Sequence, residues 1–352
     1  DLLKRIQDFP FTRYPDYTIP WHLLRWEHMN WEYVSLIVQI IESFRHVKGA
    51  YAGQPITLEP FQVLALICFL APYDPETKHR LVRTVLFTIS RKNAKTSLVA
   101  GFLTAAMALR PKMGGYYRQD LYVGASDREQ AGEIYDMCSG FINQDLDLGL
   151  ADKFRCVPSS KTVQHTKTLT KLKVLSSDAY RAHGRNAVCV VYDEIGNVPS
   201  TMAEEFYNVL TSGFGAQDEA LAMLLSTQAA VDTHIFSTMV DHCKKVNQRG
   251  FDEDDELTDM AGFVYEVPDQ IGSQKIDPYD EQYWYLANPG LLSSDGLGRT
   301  LLKDLRKQAK EAKTLPSLES KFRNRRLNQR ANPYNPLISR SVWEANGGTF
   351  TL

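Results

Sequence analysis

The chain of 352 residues lacks the patterns of a structural metal site, a disulfide framework or a membrane span. Its five cysteines are scattered without a Cys-x-x-Cys pair, and its histidines do not cluster. This cysteine usage is typical of a reducing compartment, so we expect a cytoplasmic protein. The longest apolar run, residues 61–72, is too short to cross a bilayer, and the N-terminus shows no signal-peptide pattern, so no membrane partner is expected.

The chain also lacks an excess of either charge. Its 40 lysines and arginines nearly balance its 42 aspartates and glutamates, which leaves a formal net charge of −2. The global charge gives no reason to expect nucleic-acid binding, so any such role must depend on local patches. An apolar content of 43% and a charged content of 23% are typical of a globular protein, and the length allows two domains.

Two helices are predicted in the first 70 residues. Residues 31–47 have the apolar spacing of an amphipathic helix, and a second helix is predicted to start near Pro60, because proline suits a first helical turn. The apolar face of the first helix comprises Val34, Ile37, Ile40, Ile41 and Phe44.

From residue 81 the pattern predicts an α/β fold. Short apolar runs rich in β-branched residues alternate with helical stretches such as 97–109 and 129–142. The predicted strands are 82–90, 120–126, 171–177, 187–194, 221–228 and 261–267. Buried strands that alternate with helices predict a largely parallel sheet covered by helices on both faces.

The stretch "SRKNAKTS", residues 90–97, has the outline of a phosphate-binding loop but lacks its glycines. Such a loop needs a preceding strand, a lysine and backbone N–H groups around the phosphates, and a hydroxyl for Mg²⁺ at a helix start. Lys95 and Thr96 supply the lysine and the hydroxyl. Ala94 replaces the second glycine, and we expect it to avoid the strained φ values that glycine adopts freely. An ordinary basic turn before a helix is the alternative for this stretch alone.

Two later strands also end in polar residues. These are Asp193 and Glu194 after one strand, and Ser226, Thr227 and Gln228 after the other. A nucleotide hydrolase needs one carboxylate near Mg²⁺ and a second to orient or deprotonate the attacking water. A helix-capping acid pair and an ordinary strand end are the alternatives. Because ligands bind at the carboxyl ends of parallel strands, the three ends together predict a nucleotide site.

These residues resemble the large terminase subunit of tailed double-stranded-DNA phages, in its lambdoid cohesive-end branch. The phosphate loop of that family is similar to "SRKNAKT", with an early arginine and little glycine. The other similar stretches are "LEPFQ", "SDREQA", "HGRNAVCVVYDE", "LLSTQAA", "LANPGL", "FRNRRLNQR" and "LISRSVWE". The resemblance implies a RecA-like P-loop ATPase core with a smaller lid/linker subdomain, which hydrolyses ATP to translocate viral DNA into a procapsid.

The resemblance implies roles at the matching positions. Lys95 would bind the β- and γ-phosphates, Thr96 would coordinate Mg²⁺, and Asp193 would hold the metal through water. Glu194 would be the catalytic carboxylate, and Arg91 would stabilise the γ-phosphate. The remaining loop residues that would bind the nucleotide are Ser90, Lys92, Asn93, Ala94 and Ser97.

Three further assignments follow from the resemblance. Gln62 would read adenine, for which a side-chain amide is suited. The stretch Ser226, Thr227 and Gln228 would couple hydrolysis to movement. Arg181 or Arg185 would act in trans on a neighbouring subunit's site, although both are equally typical of ordinary surface arginines.

The resemblance also implies ATP and Mg²⁺ as cofactors and a homo-oligomeric ring on the procapsid in the host cell cytoplasm. Double-stranded DNA, the portal protein and the small terminase subunit are the implied partners. Full-length members continue into a nuclease domain, whose acidic cluster is not found here after residue 345, so we expect the motor half only and no nuclease activity. The predicted segments are an N-terminal helical segment (1–48), the P-loop core (49–248), the lid/linker (249–335) and the start of a linker to an absent nuclease domain (336–352).

Residues 299–330 are strongly basic. Their charges would either form a solvated helix face or meet DNA phosphates or the next subunit. The apolar face of the helix predicted here comprises Leu302, Leu305, Ala309 and Ala312.

Two other functions fit part of the pattern. A helicase-like DNA-dependent ATPase has similar strand ends but needs a second full α/β domain to complete its site. A nucleotide-binding scaffold that does not hydrolyse ATP would be expected to lose Glu194 or Arg91, and both are present.

Overall fold

The structure is a computed structural model. It describes residues 1–7, 9–126, 128–144, 149–175, 187–211, 214, 217–250, 259–293 and 296–331. The helices are α1 Leu2–Gln7, α2 Trp21–Leu24, α3 Trp31–Ser43, α4 Pro60–Leu70, α5 Lys95–Ala108, α6 Arg128–Ile142, α7 Leu150–Lys153, α8 Ser200–Thr211, α9 Ile235–Arg249, α10 Gly296–Thr314 and α11 Glu319–Leu327. The strands are β1 Thr84–Thr88, β2 Asp120–Gly124, β3 Phe154–Val157, β4 Thr162–His165, β5 Lys171–Val174, β6 Ala187–Asp193, β7 Leu221–Ser226, β8 Met260–Val264, β9 Gln270–Ile271 and β10 Gln274–Lys275.

Eight of these strands form one sheet in the order β3-β4-β5-β2-β6-β7-β1-β8. The strands from β5 to β8 in this order run parallel, whereas β4 and β3 pair antiparallel at one edge. The predicted α/β class with a largely parallel sheet is confirmed. No helix within the described ranges is both long and apolar enough to cross a membrane.

The central strands are buried on both faces, which explains their continuous apolar sequence. Val85 and Phe87 of β1 pack into one apolar cluster with α3, α4 and α5, whereas Leu86 between them packs into a second cluster with α8 and α9. Helix α4 is enclosed by the first cluster, since every residue from Phe61 to Leu70 is buried. This packing fixes both elements that flank the phosphate loop, β1 and α5.

One helix and two strands differ from the sequence prediction. Helix α3 ends at Ser43 rather than at residue 47, because the backbone of Phe44 is extended and Arg45 forms a bridge with Pro55. Strands β3 and β4 were not predicted. They have four residues each and lie at the sheet edge, where only alternate positions need to be buried, so their apolar signal is weak.

The residues described after position 258 pack against the core. Strand β8 lies beyond the predicted core segment but pairs with β1 along its full length, so the main sheet includes residues of the predicted lid/linker. In α10 the predicted positions Leu305, Ala309 and Ala312 are buried, Leu302 is half-buried, and Leu301 is buried as well. The segment boundaries themselves remain a prediction.

Candidate nucleotide-binding site

Three strands carry their polar ends to the same edge of the sheet. In the register of β1, β7 and β6, Thr88 pairs with Ser226, and Leu225 pairs with Asp193. The backbone N–H of Glu194 then donates to Leu225 O at 2.6 Å. The phosphate loop, the acidic pair and the Ser-Thr-Gln stretch are therefore neighbours.

The phosphate loop adopts left-handed backbone angles at two residues that are not glycine. Ala94 has φ 56° and ψ 25°, and Lys92 has φ 72°. The expectation that Ala94 avoids such angles is therefore wrong. The left-handed region costs an L-residue roughly 1–2 kcal/mol. The loop retains this conformation because hydrogen bonds from other segments hold its polar groups.

Asn288 holds the loop from a distant part of the chain. It is fully buried. Its Oδ1 accepts hydrogen bonds from the Ser90 hydroxyl and from Asn93 Nδ2, the latter at 3.2 Å. Its Nδ2 donates to Arg326 O at 2.8 Å, and Gly290 N–H donates to Asn93 Oδ1 at 3.2 Å. Polar contacts thus fix a loop that glycines usually shape.

Helix α11 also contacts the loop directly. Arg91 N–H donates to Arg325 O at 3.1 Å, and Arg326 Nη1 donates to Arg91 O at 3.2 Å. Arg326 forms an ion pair with Asp304 of α10, and Lys92 Nζ lies 3.2 Å from Asp304 Oδ2. The loop therefore lies between the core sheet and the helices α10 and α11.

We expect Asn288→Ala to lower the free energy of unfolding by about 2–3 kcal/mol, because it leaves several buried polar groups unpaired. The affinity for ATP should fall as well, since the loop loses its support. Chemical denaturation and nucleotide titration measure the two effects. Asn143→Ala is the matched control, because Asn143 is exposed and should change stability by less than about 0.5 kcal/mol. Equal stabilities of the two variants would contradict this role of Asn288.

Lys95 and Glu194 form a buried ion pair at the centre of the site. The side chains of both are 9% exposed. Asn197 Nδ2 donates to the second oxygen of the Glu194 carboxylate. Glu194 has a left-handed backbone, with φ 60°, in the turn that follows β6. The lysine of the loop and the predicted catalytic carboxylate are thus in direct contact.

Asp193 has the features of a metal-binding carboxylate. It is buried, and its Oδ1 has no hydrogen-bond partner within the described part of the chain. Burial, with a smaller contribution from Glu194, raises the pKa of Asp193 to about 6 against the opposite effect of Lys95. A divalent cation with oxygen ligands would satisfy the free oxygen and favour the ionised form. With the Thr96 hydroxyl at the start of α5, these residues fit Mg²⁺.

Gln228 connects the end of β7 to the segment after α11. Its backbone N–H donates to Asn328 Oδ1 at 2.7 Å, and its backbone oxygen accepts from Asn324 Nδ2 at 2.8 Å. Its side-chain Oε1 accepts from Arg330 Nε at 3.2 Å, and its Nε2 donates to Glu266. The predicted coupling residue is therefore bonded to the segment that also supports the phosphate loop.

Gln62 lies on the other side of the loop. Its Oε1 accepts a hydrogen bond from Glu59 N–H at 3.0 Å as part of the cap of α4. It lines a cavity of about 60 Å³ with Ser97, Gly290 and the loop residues 92–94. The adenine-reading role of Gln62 stays a prediction. Arg181 and Arg185 lie outside the described residues.

The sequence matches the family described as terminase large subunit, ATPase domain, over residues 60–247. The chain belongs to this family. The large terminase subunit of Enterobacteria phage HK97 is 32% identical over 312 residues, which are 88% of this chain and 56% of that protein. The crystal structure of the HK97 large terminase aligns with a TM-score of 0.67 at 30% identity, over 88% of this chain and 58% of that one.

These matches confirm the predicted family and its RecA-like core. A weaker structural likeness, with a TM-score of 0.47 and 11% identity, is to the large terminase ATPase domain of Thermus phage P74-26 over 70% of this chain. The chain spans a little more than half the length of the HK97 terminase.

Proposed function

We propose that this chain is the ATP-hydrolysing motor part of a large terminase, which translocates double-stranded viral DNA into a procapsid. The observation that carries the proposal is the contact between Lys95 of the phosphate loop and Glu194 at the end of β6, beside the buried Asp193. A helicase-like ATPase is not favoured, since the family that matches residues 60–247 is the ATPase domain of the terminase large subunit.

ATP would bind with its phosphates in the loop and at the N-terminus of α5. Lys95 and the backbone N–H groups there attract phosphate, and the cavity beside Gln62 and Ser97 would receive the base. Because Lys95 pairs with Glu194, a triphosphate that draws Lys95 away also frees the carboxylate. Binding would thus prepare the group that acts on water.

Glu194 would orient the attacking water and accept its proton, while Asn197 holds the carboxylate in place. Mg²⁺, held by Thr96 and Asp193, would neutralise charge on the phosphates. Through its bonds to Asn324 and Arg330, Gln228 would pass the change at the site to α11.

Arg91→Ala is expected to lower turnover about 100-fold, while the affinity for ATP falls much less. The reason is that a guanidinium beside the γ-phosphate stabilises charge that grows in the transition state. Arg91 Nε is buried without a hydrogen-bond partner among the described residues, so the group is available to a ligand. Steady-state kinetics and nucleotide titration separate the two effects, and the exposed Arg110→Ala is the control. Equal losses of turnover and affinity would make Arg91 a binding residue only.

Assembly and partners are part of the same proposal. A homo-oligomeric ring on the procapsid, with portal protein and small terminase subunit, would let Arg181 or Arg185 complete a neighbour's site in the host cell cytoplasm. The test of the function is phosphate release from ATP and Mg²⁺ with double-stranded or single-stranded DNA. Stimulation by the duplex supports the packaging motor, stimulation by single strands supports the helicase-like alternative, and no release supports the scaffold.

A further inference from the structure

Arg325 differs from the other arginines of residues 319–330, because its side chain has no ion-pair or hydrogen-bond partner among the described residues. It is also exposed. The others are held by carboxylates: Arg323 by Asp269 and Glu319, Arg326 by Asp304, and Arg330 by Asp232 and Asp241. The Arg325 guanidinium is therefore available to bind an anion.

The Arg325 side chain shares a cleft with Arg91 of the phosphate loop. Both line a cavity of about 480 Å³, whose other charged residues are Lys92, Asp304, Lys307, Glu311, Lys321 and Arg326. Asp304 pairs with Lys92 and Arg326, and Glu311 pairs with Lys307, whereas Arg91 and Arg325 have no carboxylate partner among the described residues. The two arginines are joined by the backbone hydrogen bond from Arg91 N–H to Arg325 O, 3.1 Å long. Like charges that are held together in one cleft repel each other unless an anion lies between them.

The position of the cleft favours a nucleotide phosphate over a DNA phosphate. Arg325 contacts the phosphate loop at Arg91, and Lys95 of the same loop pairs with Glu194. In agreement with this placement, burial and then Arg91 lower the pKa of Arg325, and Glu194 raises it. The anion between the two arginines would therefore lie beside the carboxylate that acts on water. That is where the terminal phosphate of a bound triphosphate would be.

We propose that Arg325 binds the terminal phosphate of ATP together with Arg91, so that α11 distinguishes ATP from ADP within one subunit. This inference rests on the proposed ATPase function. It also assigns one residue of the basic stretch 299–330 to the nucleotide rather than to DNA. Since α11 and the residues after it bond to Gln228, loss of the terminal phosphate would release the helix that the coupling stretch contacts.

Calorimetric titration of the chain with Mg²⁺ and either ADP or a non-hydrolysable ATP analogue tests this proposal. Arg325→Ala is expected to weaken binding of the ATP analogue by at least about tenfold and to leave ADP affinity within about twofold, because only ATP carries the contacted phosphate. Arg325→Lys should restore part of the lost affinity, since lysine keeps the positive charge but lacks the paired N–H donors of the guanidinium. Lys303→Ala is the control from the neighbouring helix α10: Lys303 is exposed and does not line the cavity, so both affinities should stay unchanged.

Retained ADP binding and an unchanged melting temperature show that the Arg325→Ala variant is folded. The proposal is overturned if this variant binds the ATP analogue like wild type, or loses ADP and ATP equally. A weaker affinity for short duplex DNA with unchanged nucleotide binding would also overturn it and assign the cleft to DNA. Failure of the proposed function looks different, because then the wild-type chain itself releases no phosphate from ATP and Mg²⁺, whatever the affinities of the Arg325 variants.

Discussion

Glu194→Gln is expected to lower ATP turnover by about 100- to 10,000-fold while nucleotide binding is retained. Glutamine has nearly the shape of glutamate but cannot accept a proton from the attacking water. The substitution also removes the carboxylate that pairs with Lys95, so that the lysine is free to bind phosphates. We therefore expect the affinity for ATP to stay the same or to increase. Phosphate-release kinetics and titration with a fluorescent nucleotide measure the two quantities.

The control for this variant is Glu204→Gln on α8. Glu204 is exposed and accepts a hydrogen bond from the Ser200 hydroxyl at 2.9 Å. Its replacement should leave turnover and affinity within about twofold of wild type, as is usual for surface substitutions. A Glu194→Gln variant that hydrolyses ATP at the wild-type rate would remove Glu194 from the mechanism.

Lys95→Ala is expected to weaken ATP binding by about 100-fold or more, because the phosphates lose their charge-assisted hydrogen bonds. The buried Glu194 carboxylate also loses its ion-pair partner, and the buried Asp193 loses a nearby cation. The free energy of unfolding should therefore fall by about 3–5 kcal/mol, as for other broken buried ion pairs. Nucleotide titration and chemical denaturation give the two values.

Two further variants make the Lys95 result specific. Lys171→Ala removes an exposed lysine of β5 and should change neither quantity. The double variant Lys95→Ala, Glu194→Gln removes both charges of the pair, so its stability should recover while ATP binding stays weak. If Lys95→Ala bound ATP normally, the loop would not be the phosphate site.

Sequence patterns predicted the central sheet better than its edge. The runs that became β1, β6 and β7 were recognisable because both faces of these strands are buried, which gives continuous apolar sequences. The antiparallel strands β3 and β4 were not predicted, since each is short and has exposed or half-buried positions. The C-terminal end of α3 was misplaced because apolar spacing continues through Phe44 although the helix ends at Ser43.

In the site, patterns indicated the residues that follow each strand but not the side chains that support them. The sequence predicts unstrained backbone angles at Ala94, which is wrong. The loop is supported instead by Asn288 and Arg326, which follow the loop residues they contact by 195 and 235 positions. Pairing over such distances leaves no local periodicity. Only the stretches "LANPGL" and "FRNRRLNQR" carried a signal, through their family resemblance, and that signal named no role for Arg325.

The most direct test of the central claim is the rate of phosphate release from ATP and Mg²⁺ per chain, measured across protein concentration. In the proposed ring, a neighbour's arginine completes each site and contributes about three to five orders of magnitude to the rate of hydrolysis. A dilute, unassembled chain lacks this arginine. We therefore expect slow, Mg²⁺-dependent release from dilute chains and a rate per chain that rises with concentration or on assembly at a portal. No Mg²⁺-dependent release at any concentration, on a chain that is folded by its melting curve, would contradict the claim.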